Sequence, residues 1–128
     1  MSMGIIKEGE YVQVAGNANG GGGSFPKLDW ASVTAKIALA DLKSGYSAPA
    51  AGMIVGSFEP SSTSSVVIAR LFINNIPVAK TAVDVKGADK TPGNVQCLVS
   101  KDDIVKLQVV YGSGNISTDL YFVPFEGQ

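Results

Sequence analysis

From residue 46 onward, short apolar runs alternate with clusters of Gly, Pro, Asn, Asp and Ser, the punctuation of strands and turns. The densest apolar run is residues 66–73, Val-Val-Ile-Ala-Arg-Leu-Phe-Ile, interrupted only by Arg70. Asn74-Asn75 follows, then Ile-Pro-Val-Ala-Lys-Thr-Ala-Val over residues 76–83. Asn accepts the positive φ that a tight turn requires, so residues 65–83 predict a β-hairpin. A strand with one solvated face alternates apolar and polar residues, and 66–73 do not, which predicts a strand covered on both faces. One face can meet a second sheet of the same chain, and a neighbouring subunit is the cheapest cover for the other. Pro77 cannot donate a ladder hydrogen bond and places the second strand at a sheet edge or a bulge.

The same reading predicts strands over 53–58, 95–99, 104–111 and 116–125, with 83–85 able to prolong the hairpin's second strand. Polar loops are expected over 59–64, 86–94 and 112–115. Residues 100–103, Ser-Lys-Asp-Asp, form a tight turn whose Asp side chains can satisfy local amides. In 104–111 the alternation places Val105, Leu107, Val109 and Tyr111 on one face. Residues 31–37 alternate and read as a strand, although Trp30, Val33, Ile37 and Ala40 would equally stripe a helix. Residues 38–44 make a turn or one helical turn closed by Gly45. Strands at hairpin spacing with no long helix predict an all-β fold, two packed antiparallel sheets. Residues 66–73 are central in it, and Val33, Met53, Val55, Ile68, Phe72, Leu107, Val109, Leu120 and Phe122 are expected to be buried. Cys97, flanked by Gln96 and Leu98, reads as a small core hydrophobe, since no basic residue lies beside it in sequence to make a reactive thiol.

Residues 1–24 read as an N-terminal arm, with a possible strand at 10–14 and a Gly-rich connector at 16–24, ahead of a domain over 25–128. The Gly run lacks the Lys-Ser or Lys-Thr and the strand-to-helix frame of a phosphate loop. Nothing approaches the roughly 20 apolar residues of a membrane helix, and the first residues lack the basic-then-apolar order of a signal peptide. The expectation is a chain that is soluble and inserts into no membrane, reaching any extracellular site by a route other than a cleaved signal.

Composition sharpens this. Charged residues make up 16% of the 128, against roughly 25% in average soluble proteins. Hydrophobic residues make up 45%, and the mean hydropathy is +0.21. Too few charges remain to cover a comfortable monomer, and self-association is expected. The net charge of −1 argues against nucleic acid. The chain has no histidine and one cysteine, which removes histidine bases and zinc sites of the usual kind. Asp102-Asp103 is the only adjacent carboxylate pair and is a poor acid/base couple. The expectation is a non-enzyme with no cofactor and no metal.

A family resemblance extends the reading. Tyr46-Ser47-Ala48-Pro49-Ala50-Ala51-Gly52-Met53-Ile54-Val55 is similar to the Tyr-Thr-Ala-Pro-x-Asp-Gly-apolar run that leads into a core strand in jelly-roll heads of bacteriophage tail fibres and related virion fibre tips. Pro26-Lys27-Leu28-Asp29-Trp30 resembles the Pro-Asp-aromatic that often precedes it. Leu71-Phe72-Ile73-Asn74-Asn75-Ile76-Pro77-Val78 resembles a strand and turn of those heads, Val99-Ser100-Lys101-Asp102-Asp103-Ile104-Val105 their Val-x-Lys-Gly-Asp-x-Val, and Leu120-Tyr121-Phe122-Val123-Pro124-Phe125 their closing Phe-x-Pro. The resemblance spans about residues 26–125, with Ala51 in place of the pattern's Asp, Asp102 in place of its Gly, and Leu28 separating Pro26 from Asp29. It implies a jelly-roll sandwich and a homotrimer on the surface of a virion, made in the host cytoplasm. It also implies a receptor-binding head for a bacterial surface glycan or protein, or alternatively a capsid decoration or head-fibre component that binds other virion subunits. Candidate receptor-binding residues, taken from the loops, are Ser61, Ser62, Thr63, Tyr111, Ser113 and Asn115. The arm, residues 1–24, is the feature expected to tell the two roles apart.

Overall fold

The structure, a computed structural model, describes residues 26–127; the arm and its possible strand at 10–14 lie outside these residues. After a single 3-10 turn at Trp30–Ser32 come helix α1 (Leu39–Ser44) and strands β1 (Tyr46–Ser47), β2 (Gly52–Pro60), β3 (Val67–Ile73), β4 (Ile76–Val83), β5 (Gly93–Val99), β6 (Ile104–Gly112) and β7 (Ile116–Pro124). They form a four-stranded sheet ordered β1-β6-β3-β4 and a three-stranded sheet ordered β5-β2-β7, antiparallel throughout. The molecule is an all-β antiparallel sandwich. The strand orders carry that statement; the jelly-roll winding remains an implication of the resemblance.

The hairpin forms as the residues dictate. Asn74 and Asn75 take φ of 51° and 69°, the left-handed pair a two-residue turn needs, and Ile73 faces Ile76 across it. β3 lies between β6 and β4, and β4 is the edge strand. Pro77 sits there beside a register shift, in which Leu71 pairs with Ala79 and Phe72 with Pro77, so Val78 is the extra residue. The inward face of β3 is Val67, Ala69 and Leu71, all buried, and these pack with Ile54 and Phe58 of β2, Leu107 of β6 and Leu120 of β7. A buried Thr81 hydroxyl donates to the Thr91 carbonyl at 2.5 Å, and Ala82 and Thr91 exchange both backbone hydrogen bonds, which ties β4 to the start of β5.

Several expectations are corrected. Residues 31–37 form no strand. Beyond the 3-10 turn the segment crosses the side of β7 with one ladder-like bond, from Ile37 N–H to the Leu120 carbonyl, and of its alternating residues only Ile37 is buried, while Val33 is half-buried. The next segment does form a helical turn, closed by Gly45 at φ 112°. The outer face of β3 is only partly covered within the chain: Ile68 and Phe72 are half-buried and Arg70 is exposed. Val55 is half-buried because it lies on the outward parity of β2, whose inward positions are those of Ile54 and Phe58; Val109, Phe122 and Cys97 pack against the core as expected but are only half-buried, Cys97 on the edge strand β5. Met53, Leu107 and Leu120 are buried as expected. β2 runs on through Glu59 and Pro60, and β4 stops at Val83, which leaves Val85 exposed.

Tyr111 does not share the face of Val105, Leu107 and Val109. β3 pairs Ile68 with Tyr111 but Ala69 with Val109, so Val110 is an inserted residue. A bulge flips the alternation, and Tyr111 emerges on the outer face, 62% exposed.

Candidate binding surface

The loops gather at the two ends of the sandwich. At one end the hairpin turn meets the 100–103 turn. Asn74 N–H donates to the Ile104 carbonyl and Ile104 N–H donates to Asn74 Oδ1, both at 2.9 Å, while Asn74 Nδ2 donates to Asp103 Oδ1 at 3.0 Å. Asp103 Oδ2 accepts the Ser100 N–H at 2.8 Å, the local amide capture expected of this turn. That backbone bond first, and the Asn74 amide second, hold the Asp103 carboxyl below its usual range.

The other end collects the β2–β3, β6–β7 and β4–β5 loops. Ser61 N–H donates to the Asn115 carbonyl at 2.8 Å, Ser65 Oγ to the Ser113 carbonyl at 2.7 Å, and Gly87 N–H to the Thr63 carbonyl at 2.8 Å. Within the first loop Ser62 Oγ donates to Ser64 Oγ at 2.9 Å and accepts the Ser64 N–H at 3.1 Å, a local turn of the kind serine favours. Gly112 positions the 113–115 loop: at φ 76° its backbone passes so close to Val66 that a Cβ would collide with the Val66 carbonyl. Lys90 and Glu59 pair beside this end at 3.7 Å.

Five of the six candidate residues thus converge from two loops separated by about half the domain's sequence. Ser61, Ser62, Ser113 and Asn115 are exposed and Thr63 is half-buried. Tyr111 stands one residue before Gly112, its ring on the outer face of the four-stranded sheet. Hydroxyls and one amide carried on a loop backbone held by these bonds, with an exposed aromatic nearby, suit hydrogen bonding to a polyhydroxylated or peptide-like partner. Among the described residues no three His, Cys, Asp or Glu side chains are placed to hold a metal ion. No helix among them is long and apolar enough to cross a membrane. That these segments are loops was legible because each is polar and lies between strong strands. Their mutual hydrogen bonding was not, because it joins residues about 50 positions apart (Ser65 and Ser113 differ by 48). Compared with family models, curated proteins and solved structures, the chain matches none.

Proposed function

We propose that this chain is a non-enzymatic head of a bacteriophage virion fibre, a trimer that attaches to a bacterial surface glycan or protein through the serine-rich loop end. The observation that carries the reading is the joining of the 61–65 and 113–115 loops by backbone and hydroxyl hydrogen bonds, which presents exposed polar groups in fixed positions. Pre-ordered loops lose little conformational freedom when a partner docks. The order of the resembling motifs supports the fibre assignment, and so does the nesting of pairs β2–β7 around β3–β6 and of both around the Ala82–Thr91 bridge, as in a chain wound into a roll.

Adsorption of the labelled full chain to a panel of bacterial cells and to a glycan array tests the proposal. Binding is expected on at least one surface, with a loss of about tenfold or more in a Ser62→Ala, Thr63→Ala, Asn115→Ala variant whose circular dichroism is unchanged. Absence of binding to cells, together with capture by assembled particles, would replace the head with a subunit that decorates the virion.

A further inference from the structure

Among the described residues, the outer face of the four-stranded sheet carries positive charge with no counter-charge on its strands. Arg70, Lys80 and Lys106 are the only formally charged residues on β1, β3, β4 and β6, and every carboxylate of residues 26–127 lies outside those strands. All three are exposed, while their strand neighbours Ala69, Leu71, Thr81 and Leu107 turn inward and are buried. Arg70 lies directly opposite Lys80 on one side and Gln108 on the other, and Lys106, opposite Phe72, is on the adjoining diagonal. Like charges directly opposite destabilise a ladder, and diagonal neighbours remain within reach of long side chains. The two ion pairs among the described residues involve other cations, Lys36 and Lys90. A chain of net charge −1 therefore concentrates on one face three cations that have no ion-pair partner among the described residues, flanked by half-buried Ile68 and Phe72 and exposed Tyr111.

We infer that this face binds an acidic polysaccharide: the Arg70–Lys80–Lys106 cluster takes uronate carboxylates and Tyr111 stacks on a neighbouring sugar ring. The inference rests on the fibre-head reading and names the class of glycan. The Arg70 fork matches a carboxylate in two parallel hydrogen bonds, and the Lys80 ammonium adds a compact charge beside it. Gln108 offers a neutral donor and acceptor for ring hydroxyls. A second copy presenting the same face would bring six cations together. Duplex nucleic acid requires a broad basic surface, which an acidic molecule with three clustered cations lacks. Tyr111 immediately precedes Gly112 and the 113–115 loop, so the chain passes directly from the edge of the cationic face into the loop end.

Calorimetric titration of the full chain with a galacturonate hexamer is expected to show binding that weakens as salt rises. Binding falls by about tenfold or more in Arg70→Gln/Lys80→Gln, both exposed positions whose neutral replacements leave the packed face untouched. The fully methyl-esterified hexamer, which keeps the sugar and loses the charge, is expected not to bind. Equal binding of the ester, equal binding by R70Q/K80Q, or binding of oligoglutamate as tight as that of the hexamer would each overturn the inference, the last assigning the face to an acidic protein. Cells that adsorb wild type and R70Q/K80Q alike would remove this site and leave the head reading standing. Charge-dependent hexamer binding without adsorption to any cell would do the reverse.

Discussion

Asn74 and Asp103 show how much two short side chains can hold when backbone groups lie within reach. Asn74 combines the positive φ of the hairpin turn with a backbone bond to the Ile104 carbonyl and a side-chain oxygen that accepts the Ile104 N–H, and Asp103 accepts from Ser100 N–H and from the Asn74 amide. All of these acceptances favour the ionised Asp103, so its folded-state pKa lies below the unfolded value of about 3.9. A carboxyl depressed in the folded state contributes stability that is present above the unfolded pKa and lost as pH falls through the folded one. Asp103→Asn removes that dependence. In urea titrations, the wild type should exceed D103N at neutral pH, and the gap should narrow as pH falls below about 4. A gap constant from pH 7 to pH 2 would count against the bonding described. The Asp103–Ser100 part was readable in sequence because it spans three residues, whereas the Asn74–Ile104 link joins two turns 30 positions apart.

At the scale of elements, the two bulges decide which side chains reach which surface. The strand at 66–73, its turn and its partner follow from β-branched runs and Asn-Asn, and Pro77 correctly marked an edge strand with an irregularity. Parity across a bulge does not follow from periodicity. Counting residue for residue back from the Ile73–Ile76 pair would set Arg70 opposite Ala79, yet the extra Val78 sets it opposite Lys80. That insertion brings Lys80 onto the face that Arg70 already shares with Lys106, a placement that periodicity alone does not give. The inserted Val110 likewise moves Tyr111 outward. Residues 31–37 misled in another way: alternation is only a local property, and no neighbouring strand offers them a continuous ladder. The close of β6 provides a direct test of element geometry. Gly112 and Gly87 have similar φ, 76° and 84°, but a Cβ on Gly112 would strike the Val66 carbonyl, and a Cβ on Gly87 meets nothing. Gly87→Ala should lose about 1–2 kcal/mol from left-handed backbone strain alone. Gly112→Ala should lose that and roughly 1–3 kcal/mol more as the two backbones are forced apart. Equal denaturation midpoints for the two variants would refute the close approach.

Scaled to the whole molecule, the deficit of charge becomes a matter of where apolar surface remains. The sandwich core is complete within one chain, with Leu42, Ile54, Leu71, Val105 and Leu120 fully buried. The outer face of β3 is a poor place for copies to meet, because Arg70 and Lys80 would converge with their counterparts. The flank where β4 adjoins β5 is better. Ile76 and Val78 on β4 are 65% and 38% exposed, Leu98 on β5 is 67% exposed, and Pro77 leaves that edge short of a donor. Covering it would bury apolar area and close an edge strand that otherwise invites uncontrolled pairing. At roughly 25 cal/mol per Å², several hundred Å² of apolar area per chain yields several kcal/mol before the cost of association. The proposed trimer takes its number from the fibre resemblance and its contact from this flank. Sedimentation of the full chain at micromolar concentration should therefore give three times the 13.2 kDa chain mass. Ile76→Lys/Leu98→Lys should shift it to a single chain of unchanged circular dichroism, while R70Q/K80Q stays assembled. A wild type sedimenting at 13.2 kDa would remove both the oligomer and the main compositional support for the fibre head. A stable dimer sensitive to I76K/L98K would keep the flank as the contact and count against the threefold head. Loss of assembly in R70Q/K80Q instead would place the contact on the cationic face, at odds with the repulsion argued here.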